Sequence, residues 1–403
     1  MKSRYRYRIY PTDQQVILLA QLFGCVRVVW NDALYLSKKV YEETKTYKSY
    51  SSLSKEILTE AKKTKEREWL GDVSSVPLQQ SLKDLDLAFK HFFNSCSGNR
   101  KGAKVNPPRF KRRKSAQSAR FMSNAFQLRK GKVYLAKIGD LKVVWSRPLP
   151  STPTSVTVIK DAADRYFLSF VVEINPTQLA NNGVSVGVDL GIIDFTTLSS
   201  GEKIKAPKPL KENLKKLKRL QKKLSRKEKG SKRRERARKA VARLHAKIKD
   251  IRTDFLHKLS TRLIRENQTI VLEDLNIKGL VKNRKLSRAI SDLGWRTFRD
   301  MLEAKSIMYG REFVVINRWE PTSQRCSCCG KIGGKKELSV REWTCLYCGT
   351  IHDRDINAAV NIKVAGGHSE TSQNGRGGKR KTNLLAAPDE ASTDFKPVQL
   401  SLF

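Results

Sequence analysis

Residues 184–201 read VSVGVDLGIIDFTTLSSG, and this stretch decides the fold. Its β-branched, apolar first half is typical of a short buried strand, which ends at Asp189. Glu273 follows the similar run TIVL, and Asp355 opens the Ala-rich helical stretch of HDRDINAAVNI at 352–362. Three acidic residues from distant parts of the chain can therefore converge at the place where strand ends meet.

Convergent carboxylates of this kind suit a pair of divalent cations. Hard cations prefer oxygen ligands, and they keep positions open for phosphate oxygens and water. The chemistry suggested is phosphodiester hydrolysis. Taken singly, each acid also has a structural interpretation, since Asp before Leu-Gly can form a turn and Glu-Asp after a strand can cap a helix. The competing carboxylates are Asp194, Asp274 and Asp353.

The charge balance of the 403-residue chain points to a polyanionic partner. The chain carries 81 Lys and Arg against 39 Asp and Glu, a formal net charge of +42. This excess would repel itself unless a polyanion neutralised it, and nucleic acid is the usual polyanion. We expect no membrane partner, because the sequence shows no apolar run of about 18 residues, no signal peptide and no basic helix with a wide aromatic face. The expected location is the cytoplasm, in association with the nucleoid.

Five of the seven cysteines crowd into one short window near the C-terminal end, which favours a metal site in a reducing compartment over disulfides. Two C-x2-C pairs separated by fifteen residues can wrap one structural Zn²⁺ ion tetrahedrally. Cys328 is either a spectator or a competitor of its neighbours, and four cysteines leave no coordination position for His352. The four predicted zinc ligands are Cys326, Cys329, Cys345 and Cys348.

Hydrophobic spacing divides the N-terminal half of the chain into a strand, a helical lobe and a β domain. Residues 1–10 alternate like a strand, and residues 12–96 change to helical spacing. A loop rich in Gly, Lys, Arg and Pro follows, after which 119–174 reads as short strands with turns at 130–132 and 161–164. The N-terminal strand can join this β domain, which would make the helical lobe an insertion.

A basic helical stretch separates the first two acidic motifs. Residues 211–250 hold nineteen Lys or Arg against four Asp or Glu, and two apolar stripes around Gly230 predict a helical hairpin. Its one-sided charge favours contact with a phosphate backbone over a merely solvated surface. Residues 286–310 predict one further helix and 312–317 a strand, and the tail from about 366 has the composition of a disordered segment.

Taken together, GVDLG, VLEDL, the two C-x2-C pairs and HDRDINAAVNI resemble the TnpB proteins of bacterial insertion sequences. TSQRCSCCG, ISDLGW and the N-terminal RIYPTDQQ extend the resemblance, which covers residues 1 to about 365. Members of this family are RNA-guided DNA endonucleases related to the compact type V CRISPR effectors. They carry a RuvC-type nuclease domain interrupted by a zinc ribbon.

The resemblance implies a multidomain α+β fold, in which a β-barrel wedge domain carries an inserted helical recognition lobe and precedes an RNase H-like nuclease domain with an inserted zinc ribbon. The implied boundaries are 1–10 for a wedge strand, 11–100 for the recognition lobe, 101–182 for the wedge barrel, 183–320 for the nuclease domain with its basic hairpin at 208–265, 321–352 for the zinc ribbon, 353–366 for the last nuclease motif and 367–403 for a disordered tail.

For the site, the resemblance implies a catalytic triad of Asp189, Glu273 and Asp355. The first and third acids would share two Mg²⁺ ions, and Glu273 would hold the second. The implied partners are a guide RNA from the transposon end and double-stranded target DNA, cut beside a short transposon-adjacent motif. The segments that match the family's motif-reading regions contain Gln79, Gln80, Ser123 and Asn124, whose amides and hydroxyls suit base edges.

Two other classes of protein compete with a guided nuclease. One is a nuclease-dead, RNA-guided DNA-binding repressor, whose mark would be the loss of a triad acid; all three acids are present. The other is a guide-independent transposase or resolvase. The ribbon before the last acid and the large basic apparatus outside the nuclease core favour the guided nuclease over these.

Overall fold

The computed structural model of the chain describes residues 1–114, 116–337 and 339–367. Apart from its first residue, the predicted disordered tail at 367–403 lies outside the described residues. The chain divides into two units, of which the first comprises Met1–Asn181, Ala206–Arg265 and Ile277–Arg311 and the second comprises Asn182–Lys205, Glu266–Asn276 and the residues from Glu312 onward.

Strands and helices alternate irregularly along the chain. The strands are β1 (Lys2–Ile9), β2 (Gln117–Met122), β3 (Phe126–Arg129), β4 (Lys132–Leu135), β5 (Gly139–Val144), β6 (Ser155–Lys160), β7 (Tyr166–Glu173), β8 (Ser185–Leu190), β9 (Thr196–Leu198), β10 (Lys203–Ile204), β11 (Thr269–Glu273), β12 (Glu312–Ile316), β13 (Glu342–Thr344) and β14 (Ile351–Asp353). The helices are α1 (Asp13–Thr44), α2 (Tyr50–Ser54), α3 (Ser75–Cys96), α4 (Pro209–Glu212), α5 (Leu214–Ser225), α6 (Lys232–Glu266), α7 (Ile277–Leu280), α8 (Ser287–Leu293), α9 (Trp295–Tyr309) and α10 (Arg354–Ala365).

In the first unit, β1 joins the later β domain as its alternating sequence suggested. The strand pairs antiparallel with β7 along its whole length and with β5 at its end. The resulting sheet has the order β2-β6-β7-β1-β5-β4-β3. It curls into a half-barrel, which is the part of the predicted β-barrel that the structure supports. The two edge strands, β2 and β3, are joined by the short turn Ser123–Ala125, and the described residues form no ladder between them.

Helix α1 shows why the N-terminal motif RIYPTDQQ has its sequence. The Thr12 hydroxyl accepts a hydrogen bond from Gln15 N at 3.3 Å, and the Gln15 side chain accepts one from Thr12 N at 3.1 Å, which is a capping box. The Gln15 amide also donates to the Asp140 carbonyl at 2.9 Å, so the same residue fixes the helix to β5. The motif therefore has a structural function.

By length and composition α1 could cross a membrane, with a mean hydropathy of 1.4 over its most apolar window. The expectation that the sequence holds no apolar run of this length is therefore wrong. In this structure the apolar face packs into the core of the first unit. The buried residues are Leu19, Leu22, Phe23, Cys25, Val26, Val29, Trp30, Ala33, Leu34 and Ser37.

The predicted basic hairpin is confirmed as α5 and α6, which pack through Leu217, Leu244 and Ile248. Gly230, in the turn, has a φ of +94°, a value that glycine adopts at little cost. The helix predicted over 286–310 is instead two helices. Gly294 stands between them with a φ of +76°, so the chain leaves the right-handed helical conformation at that point.

The second unit is built around a sheet of order β10-β9-β8-β11-β12, in which β8, β11 and β12 run parallel and β9 runs antiparallel to β8. Helix α10 packs against β8, β9 and β11. Gly187 on β8 permits this close packing. A Cβ built there would overlap the Ala359 carbonyl oxygen and lie 2.7 Å from the Lys363 amide nitrogen.

Gly187→Ala is expected to destabilise the second unit by about 3 kcal/mol or more, because the added methyl meets helix backbone that cannot move aside as a side chain would. Denaturant unfolding of the parent and the variant measures the difference. Gly201→Ala serves as the control, because a Cβ at Gly201 meets nothing within 4 Å. The stability that this variant loses therefore reflects only the backbone strain of an alanine at a left-handed φ. A Gly187→Ala variant as stable as the parent contradicts the close packing.

Candidate active site

The first two predicted acids stand side by side on neighbouring strands. The parallel register of β8 and β11 pairs Val188 with Leu272. The next residue on each strand is Asp189 and Glu273, so both carboxyl groups lie at the same edge of the sheet. Their side chains are hydrogen-bonded to each other. The structure therefore brings these two predicted residues together.

Asp355 is brought to the same edge by α10, in whose first turn it lies. The helix packs on β8 through the close approach at Gly187, which places its N-terminal end near Asp189. The electrostatic influence of Asp355 on Asp189 reflects this proximity. All three residues are partly exposed, so the edge is open to a ligand.

Burial raises the pKa values of the two paired carboxyl groups, Asp189 and Glu273, and like charge adds to the rise at Asp189. Loss of hydration raises the pKa of Asp189 well above its ordinary value, and the negative charges of Glu273 and Asp355 raise it further. Burial likewise raises the pKa of Glu273, and the hydrogen bond with Asp189 offsets part of that rise. Two carboxyl groups in contact cannot both be ionised cheaply without a cation between them.

The three competing carboxylates lie in different surroundings. Asp353 caps α10, accepting hydrogen bonds from the amides of Asp355 and Ile356 at 3.0 Å, and its Oδ2 lies 2.6 Å from Lys203 Nζ. Burial opposes ionisation of Asp353, but these partners lower its pKa. Asp274 forms an ion pair with Arg318, whereas Asp194 has a buried Oδ1 without a hydrogen-bond partner. Capping explains Asp353 without a metal.

The four predicted zinc ligands form a compact cluster. Within the described ranges they are the one group of three or more His, Cys, Asp or Glu residues whose ligand atoms all lie within 4.8 Å of one another. The donor set suits Zn²⁺, because four soft thiolates at tetrahedral spacing are its usual structural ligands. Cys328 is exposed and lies outside the cluster. The clustered residues are Cys326, Cys329, Cys345 and Cys348.

Polar neighbours favour the thiolate form of one cysteine of the cluster. Hydrogen bonds from the Thr350 hydroxyl and amide lower the pKa of Cys348 to about 6, which favours its thiolate. His352, which the sequence left without a role, is buried, and its Nε2 lies 3.0 Å from Cys326 Sγ. The histidine therefore contacts a candidate ligand, and it also stacks at a tilt on Trp343.

Two asparagines connect the ribbon to the helix that carries the third acid. The side chains of Asn357 and Asn361 donate to the Arg325 carbonyl at 2.8 and 2.7 Å, and Asn361 also donates to the Thr322 carbonyl at 2.8 Å. Ser327 N donates to Asn357 Oδ1 at 2.8 Å. The asparagines of DINAAVNI therefore dock the first cysteine turn on α10. Sequence pattern does not indicate this role, since a polar helix face looks the same whether it meets water or protein backbone.

The four residues predicted to read DNA are placed unequally in the first unit. Gln79 on α3 and both Ser123 and Asn124 in the turn between β2 and β3 are exposed. Gln80 is buried, at 8% exposure, so its amide faces the protein interior. Helical spacing explains the difference between the two glutamines, because successive residues on a helix point about 100° apart. The three exposed residues stay predictions.

Asp189→Asn is expected to stabilise the Mg²⁺-free, zinc-loaded protein at about pH 8. In the parent the pKa of Asp189 is higher in the folded than in the unfolded state, so the stability of the parent falls as pH rises, whereas an amide does not ionise. The parent begins to lose stability as pH rises past the ordinary pKa of an aspartate, and the loss continues up to the raised pKa of Asp189. The difference in stability between the variant and the parent should become smaller towards about pH 5, where Asp189 of the parent is protonated in a larger fraction of molecules. Thermal unfolding of both proteins across this range measures the effect. A parent as stable as the variant at the higher pH contradicts the raised pKa.

Three family profiles match consecutive parts of the chain. Residues 1–46 match a "Helix-turn-helix domain", a region where the structure has one strand and the single continuous helix α1. Residues 169–284 match the IS605 OrfB family, described as "Probable transposase", and 295–362 match a "Cas12f1-like, TNB domain".

Whole-chain relatives agree with these matches. A Streptomyces pristinaespiralis protein named "Putative RNA-guided DNA endonuclease" is 48% identical over 91% of this chain and 90% of its own. The Escherichia coli protein "Putative RNA-guided DNA endonuclease InsQ" is 32% identical over 95% of this chain and 98% of its own. A solved structure, a Cas12f1–sgRNA–target DNA complex, shares the fold with a TM-score of 0.53 at 13% identity, over 90% of this chain and 98% of that one.

Fold and site together define an α+β protein that carries an acidic cluster at the edge of a mixed sheet and a four-cysteine ribbon beside it. Sequence identity of 48% and 32% over nearly the full length of these two relatives assigns this α+β protein to one family. The chain belongs to the TnpB/OrfB family of the IS605 type.

Proposed function

We propose that the chain is an RNA-guided DNA endonuclease of an insertion sequence, which cuts double-stranded DNA beside a short transposon-adjacent motif by two-metal-ion hydrolysis. The observation that carries the proposal is the meeting of Asp189, Glu273 and Asp355 at one partly exposed sheet edge. Relatives that share nearly the whole chain bear the corresponding name. The enzyme would work in the bacterial cytoplasm, at the nucleoid.

The raised pKa values of the acidic pair fit a site built for cations. Mg²⁺ displaces protons from carboxyl groups and relieves their repulsion, and oxygen ligands are the ones it prefers. Asp189 and Asp355 would share two ions, and Glu273 would hold the second. When bound, the two ions would supply Lewis acidity to the attacking water and to the leaving oxygen.

The reaction is hydrolysis of one phosphodiester bond in each cut. A water oxygen forms a bond to phosphorus while the P–O3′ bond breaks. The products are a 5′-phosphate and a 3′-hydroxyl, and the proton lost by the water is balanced by the one that the 3′ oxygen takes up. The three carboxylates would hold the cations, and in that way they would orient the reacting groups.

Recognition is divided between RNA and protein. A net charge of +42 supports a polyanionic partner of considerable length, and the basic hairpin α5–α6 offers a surface for a guide RNA backbone. Guide pairing would read the target sequence, and the protein would read the adjacent motif as duplex. Gln79, Ser123 and Asn124 are our candidates for that contact.

The test is to purify the protein co-expressed with the DNA that flanks its gene, extract bound RNA, and offer the complex Mg²⁺ and plasmids with a guide-matched target beside randomised bases. Cleavage that needs both a discrete RNA and an adjacent motif supports the proposal. Specific target binding without a cut would instead indicate a guided repressor. Absence of a discrete RNA would indicate a guide-independent transposase or resolvase.

A further inference from the structure

A lysine stands in the same row of side chains as the first acid of the site. In the sheet of the second unit, Lys203 on β10 pairs with Thr197 on β9, and Thr197 pairs with Asp189 on β8. Residues directly opposite one another in an antiparallel ladder project from the same face of the sheet. The Lys203 and Asp189 side chains therefore share one face, separated by two strand spacings of about 4.8 Å each.

Lys203 forms an ion pair with the residue at which the helix of the third acid begins. Its Nζ lies 2.6 Å from Asp353 Oδ2, and the two side chains are 34% and 27% exposed. The hydrogen bond to Asp353 raises the pKa of Lys203, and the charges of nearby carboxylates, Asp355 among them, add to the rise against the opposing effect of burial. The ammonium group is therefore charged at neutral pH and lies within electrostatic reach of the third acid.

The other oxygen of Asp353 organises the first turn of α10. Asp353 Oδ1 accepts hydrogen bonds from the amide nitrogens of Asp355 and Ile356, both at 3.0 Å. This is the N-cap arrangement, and here it holds the backbone of the third acid itself. Because each oxygen of Asp353 has one task, the ion pair with Lys203 sets the orientation of the carboxylate that caps the helix.

The ion pair connects two elements that come from distant parts of the chain. Lys203 belongs to the sheet that carries Asp189 and Glu273, whereas Asp353 ends β14 and leads into α10, which carries Asp355. The pair therefore joins the sheet of the first two acids to the first turn of the helix that presents the third. A change in this pair would alter the distance between Asp355 and the other two carboxyl groups.

The relative position of the three carboxylates decides how well they can bind cations. Ligands bind a metal ion tightly when neighbouring groups hold them in place before the ion arrives. Loss of such a supporting group typically lowers metal affinity or activity by about 10–100-fold. Lys203 supports Asp355 through one intermediate residue, so its contribution should lie at the low end of this range.

We propose that Lys203 is a positioning residue of the nuclease site: by pairing with Asp353 it fixes the first turn of α10, so that Asp355 meets the other two acids in the arrangement that Mg²⁺ requires. This inference rests on the proposed function for the role of the acids. The lysine touches neither the DNA nor the cations, and its effect passes through the Asp353 carboxylate to the Asp355 backbone.

The test measures cation binding and cleavage in the parent, Lys203→Met and Lys203→Arg. Binding of Mn²⁺ to the zinc-loaded, RNA-free full chain is followed by electron paramagnetic resonance, and Glu273→Gln gives the background of Mn²⁺ bound elsewhere. Lys203→Met keeps the length of the side chain without its charge, and it should weaken Mn²⁺ binding by about 10-fold. Lys203→Arg keeps a cation that can pair with Asp353 and should lose much less.

Cleavage by the guided complex gives a second readout. In Lys203→Met the Mg²⁺ concentration for the half-maximal single-turnover rate should rise by a similar factor, while the rate at saturating Mg²⁺ stays close to that of the parent. Extra Mg²⁺ repairs the defect because the cations themselves draw Asp355 into place. A group that bound the DNA or moved a proton would instead lower the saturating rate.

Asp353→Asn probes the same connection from its other end. The asparagine oxygen still caps α10, but it carries no charge to pair with Lys203. This variant should bind Mn²⁺ about as weakly as Lys203→Met, and the double variant no more weakly than either, because both changes break one ion pair. Binding that is far weaker in Asp353→Asn than in Lys203→Met would make Asp353 a cation ligand and overturn the proposal.

Lys205→Met is the matched control, since it makes the same change at an exposed lysine two residues along the chain, and it should bind Mn²⁺ like the parent. Zinc content and thermal unfolding show whether each variant folds, and Lys203→Gln replaces Lys203→Met if the latter does not. A folded Lys203 variant without the charge that binds Mn²⁺ like the parent overturns the positioning role. Failure of the proposed function shows separately, as a parent complex that binds Mn²⁺ at the acids and cuts no guide-matched target.

Discussion

Glu273→Gln should lower the rate of guided target cleavage by about 10³-fold or more while the complex still binds its RNA and target. The amide keeps the shape of the side chain and removes the negative charge that would hold a cation opposite Asp189. A metal-binding carboxylate that is lost takes with it both the Lewis acidity of the cation and the positioning of the reacting groups. The rate should therefore fall by at least as much as it does when one hydrogen-bond donor to a transition state is removed. Single-turnover cleavage and a binding assay on the same preparation separate the two effects.

The neighbouring residue provides a sharp control for this experiment. Asp274→Asn makes the same chemical change one position along the chain, in a carboxylate that pairs with Arg318. We expect this variant to keep most of the cleavage activity. If instead Asp274→Asn abolishes cleavage and Glu273→Gln leaves it intact, the second acid of the site has been assigned to the wrong residue.

Cys345→Ser should cost the protein its zinc ion, the fold of the ribbon and guided cleavage. Cys345 is buried in the small core of the ribbon with Cys326 and Trp343. Structural Zn²⁺ contributes about 10–16 kcal/mol to the folding of small zinc domains near neutral pH, and a hydroxyl is a much poorer ligand than a thiolate. The ribbon docks through Asn357 and Asn361 on α10, the helix that carries the third acid. Zinc content by elemental analysis and the cleavage rate measure the outcome.

Cys328→Ser is the matched substitution, since Cys328 is exposed and lies outside the cluster. It should leave one Zn²⁺ per chain and an unchanged cleavage rate. A variant at Cys328 that loses zinc, together with a Cys345→Ser variant that keeps it, would show that the ligand set differs from the four clustered cysteines.

The sequence predicted best what depends on local patterns. Apolar periodicity gave α1 and the hairpin α5–α6, and the cysteine spacing gave the ribbon cluster. The strand-like character of the runs before Asp189 and Glu273 gave two of the three elements of the acidic site. Each of these features can be read within a short window, because secondary-structure period and ligand spacing are local properties.

What the sequence did not predict depends on contacts between distant segments. Nothing near Lys203 indicates that its partner is Asp353, and the docking role of Asn357 is visible only once the Arg325 carbonyl lies opposite. How far the sheet curls is another case, because closure of a sheet depends on pairing between its edge strands. The burial of Gln80 has a simpler reason, since one step of about 100° along a helix can turn a side chain from the surface to the core.

The central position of β1 in its sheet has a consequence for the order of events during synthesis. Ile9 pairs with Val143 and Lys2 with Glu173, so β1 leaves the ribosome well before its partners and stays unpaired until most of the first unit has been made. Pairings this far apart in sequence form late and slow the folding of the region that they complete. The helices that follow β1 can form in the meantime, because their hydrogen bonds are local. Nascent chains of this protein should therefore expose an unpaired strand for longer than proteins whose sheets begin with a hairpin, and they should depend more on chaperones.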